Sequence, residues 1–472
     1  MTDDDKQVTT PDEYDPTSDP RDLLIVDALA ELVMQPLDDD DDLEADAEAL
    51  TDDDRRASAA LGSSAELVAR IIANANAKNR SRLQAERPTR MRSSLTTITK
   101  TAVPPKVRES AEEFGELLQR MRDCECDDLL SWSCDYRKKE VIGRGGQGIV
   151  FLTECLNEHY LPKALKVFSP QPYGDAESYY DDMDRMAHVA SLVYRIQVDN
   201  LVIVERFAYH NGICVMIMRW IDGHDLATLL RPSLFEQLRG CVNEERWKHL
   251  TKVVVTTPGT SQLRLMPGMA VNIIEKCLRG LDALHSHGIV HGDIKPSNIM
   301  LDRYGSIRLV DIGSAFELSA PPRQHTWTPR YAPPEIFEGK KWTPQSDLAS
   351  LGYVLIELLS GQPAIASPDI GSASTRMNGT DWDRMILDEK RALPERLNEL
   401  LPANVRASDQ LMKICQQLID PDPKKRFASA EDALEGPSGT YKFLQDLTRM
   451  NLAACFSQEI KRWLADVKMV RP

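Results

Sequence analysis

Between an apolar helical run, Ile273 to Leu284, and a strand-like run, Ser306-Ile307-Arg308-Leu309-Val310, lies His291-Gly292-Asp293-Ile294-Lys295-Pro296-Ser297-Asn298-Ile299-Met300-Leu301. Set between two regular elements, this stretch reads as a loop, and it constrains the fold more than any other part of the chain. It holds an Asp, a Lys two residues on and an Asn five residues on. Transfer of a phosphoryl group from ATP to a hydroxyl calls for that set. A carboxylate orients the hydroxyl and accepts its proton, a cation spreads developing charge, and an amide oxygen holds a metal ion.

A second stretch, Glu140-Val141-Ile142-Gly143-Arg144-Gly145-Gly146-Gln147-Gly148-Ile149-Val150-Phe151-Leu152, carries Gly-x-Gly-x-x-Gly. Dinucleotide folds share that spacing, but there the glycines join a strand to a helix. Here strand formers lie on both sides, Val141-Ile142 and Ile149 to Leu152, which predicts a hairpin. Ala164-Leu165-Lys166-Val167-Phe168 then reads as a strand presenting Lys166. Glycines let backbone close over phosphates, and Lys166 supplies the opposite charge.

Together these residues resemble the protein kinase family, whose catalytic loop is HxDxKxxN and whose Gly-rich loop precedes a strand Lys. The likeness is to the eukaryotic-like, bacterial-type Ser/Thr members and covers about 136–436. It implies an α+β, two-lobed protein kinase fold: a small N-lobe (about 136–218) of antiparallel sheet plus one helix, and a mainly helical C-lobe (about 223–436). It implies ATP and Mg²⁺ as cofactors, with Mn²⁺ an alternative. Asp293 is then the base, Lys295 the γ-phosphate contact and Lys166 the α/β-phosphate contact. Asn298 and Asp311, in the DFG-like Asp311-Ile312-Gly313, are metal ligands.

Ile142, Gly143, Gly145 and Gly148 line the nucleotide, Val150 and Ala164 sandwich adenine, and Met300 lies below. In Val215 to Leu226 the resemblance makes Met218 the guard of the adenine pocket, Arg219 and Ile221 the hinge backbone, and Asp225 a ribose ligand; a helix N-cap is the competing role for Asp225. Thr328 bonds Asp293 and Lys295, Glu335 pairs with Arg426, and Asp347 anchors the catalytic-loop backbone. Gly292 stands where an Arg commonly precedes the Asp, so the activation segment needs no phosphate to meet it. One element departs from the family. The helix expected over Ser178 to Gln197, ahead of a strand at Leu201-Val202-Ile203-Val204, has no Glu to pair with Lys166; Asp181, Asp182, Asp184 and His188 are the nearby candidates, with Asp182 preferred.

Outside that region, charge divides the chain. Residues 1–56 hold 21 Asp/Glu against 4 Lys/Arg, a net of −17 in a chain of −16. With few aromatics they read as a disordered acidic tail, in which Ile25, Leu29, Leu32 and Val33 share one helical face. Residues 57–108 are a basic, Ser/Thr-rich linker. The tail can bind a partner or that linker, and Ser81, Ser93, Ser94, Thr96, Thr97 and Thr99, in an Arg-rich stretch, are autophosphorylation candidates. Residues 109–135 are a helical lead-in, with helix from Glu109 to Leu130. About 232–267 is an insertion containing a hairpin near Val253, and 437–472 is a helical extension, whose Phe443, Leu447, Met450, Ile460, Trp463, Leu464 and Val467 are expected to dock on the lower lobe.

Nine cysteines in scattered positions argue against a secreted disulfide framework, and Cys124, Cys126, Cys134 and Cys155 match no usual zinc spacing. No apolar run reaches about 18 residues, and Met1-Thr2-Asp3-Asp4-Asp5 is no signal peptide. A cytoplasmic protein is expected, with protein substrates and no nucleic-acid partner. The function expected is an ATP-dependent Ser/Thr protein kinase; the alternative, from the missing helix Glu, is a pseudokinase scaffold acting through its tails.

Overall fold

Two runs of strand formers around the glycines fold as a hairpin. The computed structural model describes residues 111–131, 135–259, 261–322, 327–365, 379–450, 452 and 454–470; the tail and linker calls, and Cys134, lie outside them. Helix α1 (Ala111–Cys126) leads into β1 (Leu129–Ser131), β2 (Asp135–Gly145), β3 (Gly148–Cys155) and β4 (Leu161–Phe168). Then come α2 (Ala176–Val193), β5 (Val204–His210) and β6 (Ile213–Arg219). The strands make one six-stranded sheet in the order β1-β2-β3-β4-β6-β5, every pair antiparallel.

Six consecutive residues of β6 are buried, since α1 reaches it and α2 reaches its neighbour β5. Leu117 and Met121 bury the apolar stripe of α1. That helix stops at Cys126, short of the Leu130 expected, because Leu130 pairs with Tyr136 in the sheet. The strand expected over 201–204 begins only at Val204. Leu201 instead makes a parallel bridge to Leu309, and Val202 N–H donates to Leu309 O at 2.8 Å.

The second lobe opens with β7 (Gly223–Asp225) and α3 (Leu226–Leu229). The insertion follows as α4 (Pro232–Cys241), α5 (Glu244–Val253) and a hairpin of β8 (Val255–Pro258) and β9 (Leu263–Leu265). A hairpin was legible near these valines, but it begins only at Val255, since Val253 ends α5 and Val254 caps it; the two helices ahead of it were not legible. Next come α6 (Pro267–His285), β10 (Ile289–Val290), β11 (Ile299–Asp302), β12 (Ile307–Leu309) and β13 (Phe316–Glu317). Helices α7 (Pro334–Phe337), α8 (Pro344–Ser360), α9 (Gly379–Leu400), α10 (Ala403–Arg406), α11 (Asp409–Ile419), α12 (Ala430–Glu435), α13 (Thr440–Arg449) and α14 (Phe456–Val467) complete the lobe.

Local chemistry fixes α8, the most deeply buried helix. Thr343 and Ser346 form a capping box, Pro344 opens the first turn, and Gly361 closes the helix at φ 73°. Its residues 346–360 are all buried, packed on α6 and α11. Helix α6 in turn touches α12, α13 and β12, so the loop that follows it starts from the centre of the lobe. In the extension Phe443, Ile460, Trp463, Leu464 and Val467 are buried and Leu447 partly so, whereas Met450, expected in the same stripe, is exposed because it lies just past the end of α13. No helix of the described residues is long and apolar enough to cross a membrane.

Candidate active site

The catalytic-loop stretch is held from behind before it presents anything. Asp347, buried in α8, accepts from the backbone N–H of His291 (2.8 Å) and Gly292 (2.9 Å) and sits 2.9 Å from His285 Nε2. Burial alone would push the Asp347 carboxyl up, but the His285 and backbone donors hold it below the ordinary carboxylate range. His291 Nε2 lies 3.1 Å from Val310 O, tying the loop to the segment that ends in Asp311.

On the open side, Asp293 gathers three neighbours. Lys295 Nζ donates to Oδ2 at 2.6 Å, Thr328 Oγ1 donates to Oδ1 at 2.8 Å, and Lys295 also reaches Thr328 Oγ1 at 3.0 Å. This is the bridge expected of Thr328. Asn298 donates through Nδ2 to Asp293 O at 2.8 Å, which orients Oδ1 as the end available to a cation. Glu335 and Arg426 form the expected pair, a buried two-pronged contact at 2.8 Å for each oxygen.

Facing this loop across a cleft of about 1230 Å³ are the Gly-rich hairpin and β4. Gly148 sits at φ 141°, and a Cβ there would lie 2.0 Å from Val167 O, so only glycine lets β3 pass β4 here. Ile142, Gly143, Gly145, Gly148, Val150, Ala164, Lys166, Met218, Arg219, Ile221, Asp225, Asp293, Lys295, Asn298, Met300 and Asp311 all line that one cleft. Pairing of β7 with β11 sets Met300 opposite Asp225. Asp225 also caps α3, accepting from Thr228 N–H at 2.9 Å and Thr228 Oγ1 at 2.7 Å, so the N-cap role is real alongside its place in the cleft. Arg219 N–H donates to Ile203 O at 2.9 Å, which takes that donor out of any ligand contact.

Among the described residues no helix acid pairs with Lys166. Asp182, the preferred candidate, accepts from Tyr173 OH at 2.6 Å and from Arg185 Nε at 2.9 Å. Asp184 accepts from Tyr209 OH at 3.1 Å, His188 pairs with Glu317, and Asp181 stands exposed on the cleft wall. The physical reason is local: Arg185 lies one turn from Asp182 on α2 and takes the carboxylate first. Lys166 Nζ donates instead to Asp311 Oδ1 at 2.5 Å and to Gln147 Oε1 at 2.8 Å. Burial acts to raise the Asp311 carboxyl, and the Lys166 ammonium overrides it, keeping the group below its usual range. Asp311 adopts φ 61°, and a Cβ on Gly313 would meet Lys166 Nζ at 2.5 Å, so a side chain there would displace the Lys166 ammonium from its present place.

Gln147 and Ser314 escaped sequence reasoning. Both occupy positions that the motifs leave open, and their link, Gln147 Nε2 to Ser314 Oγ at 2.9 Å, spans 167 residues. Cys124 and Cys155 are buried thiols and Cys126 an exposed one; no cluster of three or more His, Cys, Asp or Glu side chains that could hold a metal occurs among the described residues.

A sheet lobe facing a helical lobe, with Lys166, Asp293, Asn298 and Asp311 on one cleft, defines a phosphotransferase fold of the protein kinase class. The chain belongs to that family: the Protein kinase domain model matches residues 136–437, well over half of it. It is similar to serine/threonine-protein kinase PknD of Mycobacterium tuberculosis, 28% identical over 301 residues, which are 63% of this chain and 38% of the relative. PrkC of Bacillus subtilis is 26% identical over 303 residues, with 63% and 39% covered. PknA of Corynebacterium glutamicum is 26% identical over 257 residues, with 52% and 47% covered. The chain thus spans less than half the length of these relatives.

Proposed function

We propose that the chain is an active Ser/Thr protein kinase that transfers the γ-phosphoryl group of ATP to protein hydroxyls. The observation that carries this reading is the convergence of Lys166, Asp293, Asn298 and Asp311 on a single cleft roofed by the Gly-rich hairpin. Asp293 orients the substrate hydroxyl and accepts its proton, and its contacts to Lys295 and Thr328 hold both carboxylate oxygens in place for that. Lys295, beside Asp293, offers its ammonium to the transferring phosphoryl oxygens, and Lys166 does the same for the phosphates deeper in the cleft. Asp311 and Asn298 fit a hard cation, one as a carboxylate kept ionised, the other by an oriented amide oxygen; Mg²⁺ bound there would neutralise phosphate charge. Met218, Val150, Ala164 and Met300 supply the apolar walls for adenine, with the carbonyl of Arg219 and the backbone of Ile221 at its edge and Asp225 at the ribose.

The relatives are named as serine/threonine-protein kinases, which favours Ser and Thr as acceptors. Gly292 gives the loop no cation for an activation-segment phosphate, so activity without that modification is expected. A pseudokinase scaffold is the second reading, favoured only by the engagement of Asp182 elsewhere. Purified protein with labelled ATP and Mg²⁺, beside Asp293→Asn, separates the two. Incorporation into the chain itself or a generic protein substrate, lowered by about 10³ in the variant, supports the kinase; no incorporation by the native chain supports the scaffold.

A further inference from the structure

We infer that Gln147, reaching down from the Gly-rich turn, is the positioning residue for Lys166, in the role that a helix carboxylate cannot fill here. The inference rests on the kinase reading above. Three observations carry it. First, no acid of α2 pairs with Lys166 among the described residues: Asp182 engages Tyr173 and Arg185, Asp184 engages Tyr209, and Asp181 is exposed at the cleft wall without an ion pair to Lys166.

Second, Gln147 is itself fixed at both ends. Its backbone carbonyl accepts from Ser169 N–H at 2.9 Å, pinning the turn to the residue just beyond β4. Its side-chain Nε2 meets Ser314 Oγ at 2.9 Å, while Oε1 faces Lys166 Nζ at 2.8 Å. Only this orientation of the amide is tenable, because the flipped one would aim an NH₂ at an ammonium, donor against donor. Third, Gly313 leaves the space in which the contact forms: a Cβ there would stand 2.5 Å from Lys166 Nζ and 2.8 Å from Gln147 Oε1.

The consequence differs from that of a Lys–Glu pair. A carboxamide aims the ammonium without neutralising it. Asp311 is the one carboxylate whose hydrogen bond to Lys166 is seen among the described residues. Once Asp311 turns to a metal ion, Lys166 keeps its full charge for phosphate oxygens and is still held by Gln147. Ser314 orients Gln147, so it belongs to the same chain of positioning.

The test compares native protein with Gln147→Ala, Gln147→Glu and Ser314→Ala, using Mg–AMP-PNP for binding by calorimetry and ATP with a generic protein substrate for kinetics. Gln147→Ala should weaken AMP-PNP binding and raise KM for ATP by about tenfold, with KM for the protein substrate unchanged. Gln147→Glu should come back to within about threefold of native, and Ser314→Ala should fall between, all with unaltered thermal unfolding. The inference is overturned if Gln147→Ala stays within about twofold of native, if it binds nucleotide more tightly, or if Gln147→Glu is as impaired as Gln147→Ala. A native protein that binds AMP-PNP but transfers nothing removes the kinase reading and leaves the binding comparison to decide on Gln147. If native protein binds no AMP-PNP, both readings fall.

Discussion

Arg246 Nε in the inserted helix α5 donates to Asp466 Oδ2 in the C-terminal helix α14 at 2.8 Å, across 220 residues of chain. Glu459, two turns earlier on α14, meets His249 Nε2 at 2.8 Å, and Cys241 Sγ points to Met469 O. Both Arg246 and Asp466 are largely buried, so the insertion and the extension stabilise each other as one unit on the lower lobe. Arg246→Ala should cost about 2 kcal/mol in urea unfolding, and the Arg246→Ala/Asp466→Ala double variant less than the two singles added. Simple additivity would dismiss the coupling.

On the proposed function, Asp311 would compete with a nucleotide for Lys166 when no metal is present, since the carboxylate stands 2.5 Å from the ammonium. Removing it by Asp311→Ala should therefore leave metal-free AMP-PNP binding intact or about threefold tighter, while abolishing the gain in affinity from Mg²⁺. Calorimetry with and without Mg²⁺ measures both. A variant that still gains from Mg²⁺ places the metal elsewhere.

Asp347→Asn should damage both folding and turnover. The carboxylate receives three donors, and an asparagine must turn its NH₂ toward at least one of them. A loss of about 3 kcal/mol is expected, with kcat down by about 10–100-fold as the loop carrying Asp293 shifts. The pH dependence has a definite sign. A folded-state pKa below the unfolded one contributes stability fully present above about pH 4 and lost as pH falls through the folded value. The gap between native and Asp347→Asn should narrow in that acid range; a constant gap would falsify the assignment of the stabilisation to the charged form.

The parts of the site that could be read in the sequence are those whose geometry is set within one short segment. Asp293, Lys295 and Asn298 share a loop of eight residues, so their spacing alone brings them together. Thr328, Glu335–Arg426 and Asp347 were reached through the family resemblance, and their contacts are present. Lys166 shows the opposite case. Its partners come from the tip of one turn and the end of a distant strand, and which carboxylate reaches it depends on Arg185 and Tyr173 claiming Asp182 first. Similarly, Leu201 to Val204 has the composition of a strand, yet Leu201 is drawn to Leu309 of the other lobe; apolar pattern specifies burial and leaves the pairing partner open. The helices α4 and α5 carry mixed charge with few buried residues, Leu250 alone in α5, so periodicity was weak there.

Lys390 in α9 is fully buried, and its Nζ donates to Arg330 O at 2.7 Å while lying 4.2 Å from the centre of the Tyr353 ring. Arg330 lies between Thr328 and Glu335, so the lysine tethers from beneath the segment on which a protein substrate would rest. Burial drives its pKa well below the ordinary lysine value. Between that lowered value and about 10.4 the unfolded chain binds more protons than the folded one, so stability rises with pH across that window. Below the folded value the penalty of burying the ammonium is fully present. Lys390→Met keeps the apolar stem and removes the titration, so the variant should show a flat profile from neutral pH to pH 10 where native protein gains stability. Releasing the Arg330 carbonyl should also raise KM for protein substrate about fivefold while KM for ATP holds. Urea unfolding across that pH range, with steady-state kinetics in both substrates, reads the two effects separately; parallel pH profiles, or equal shifts in both KM values, would remove Lys390 from this role.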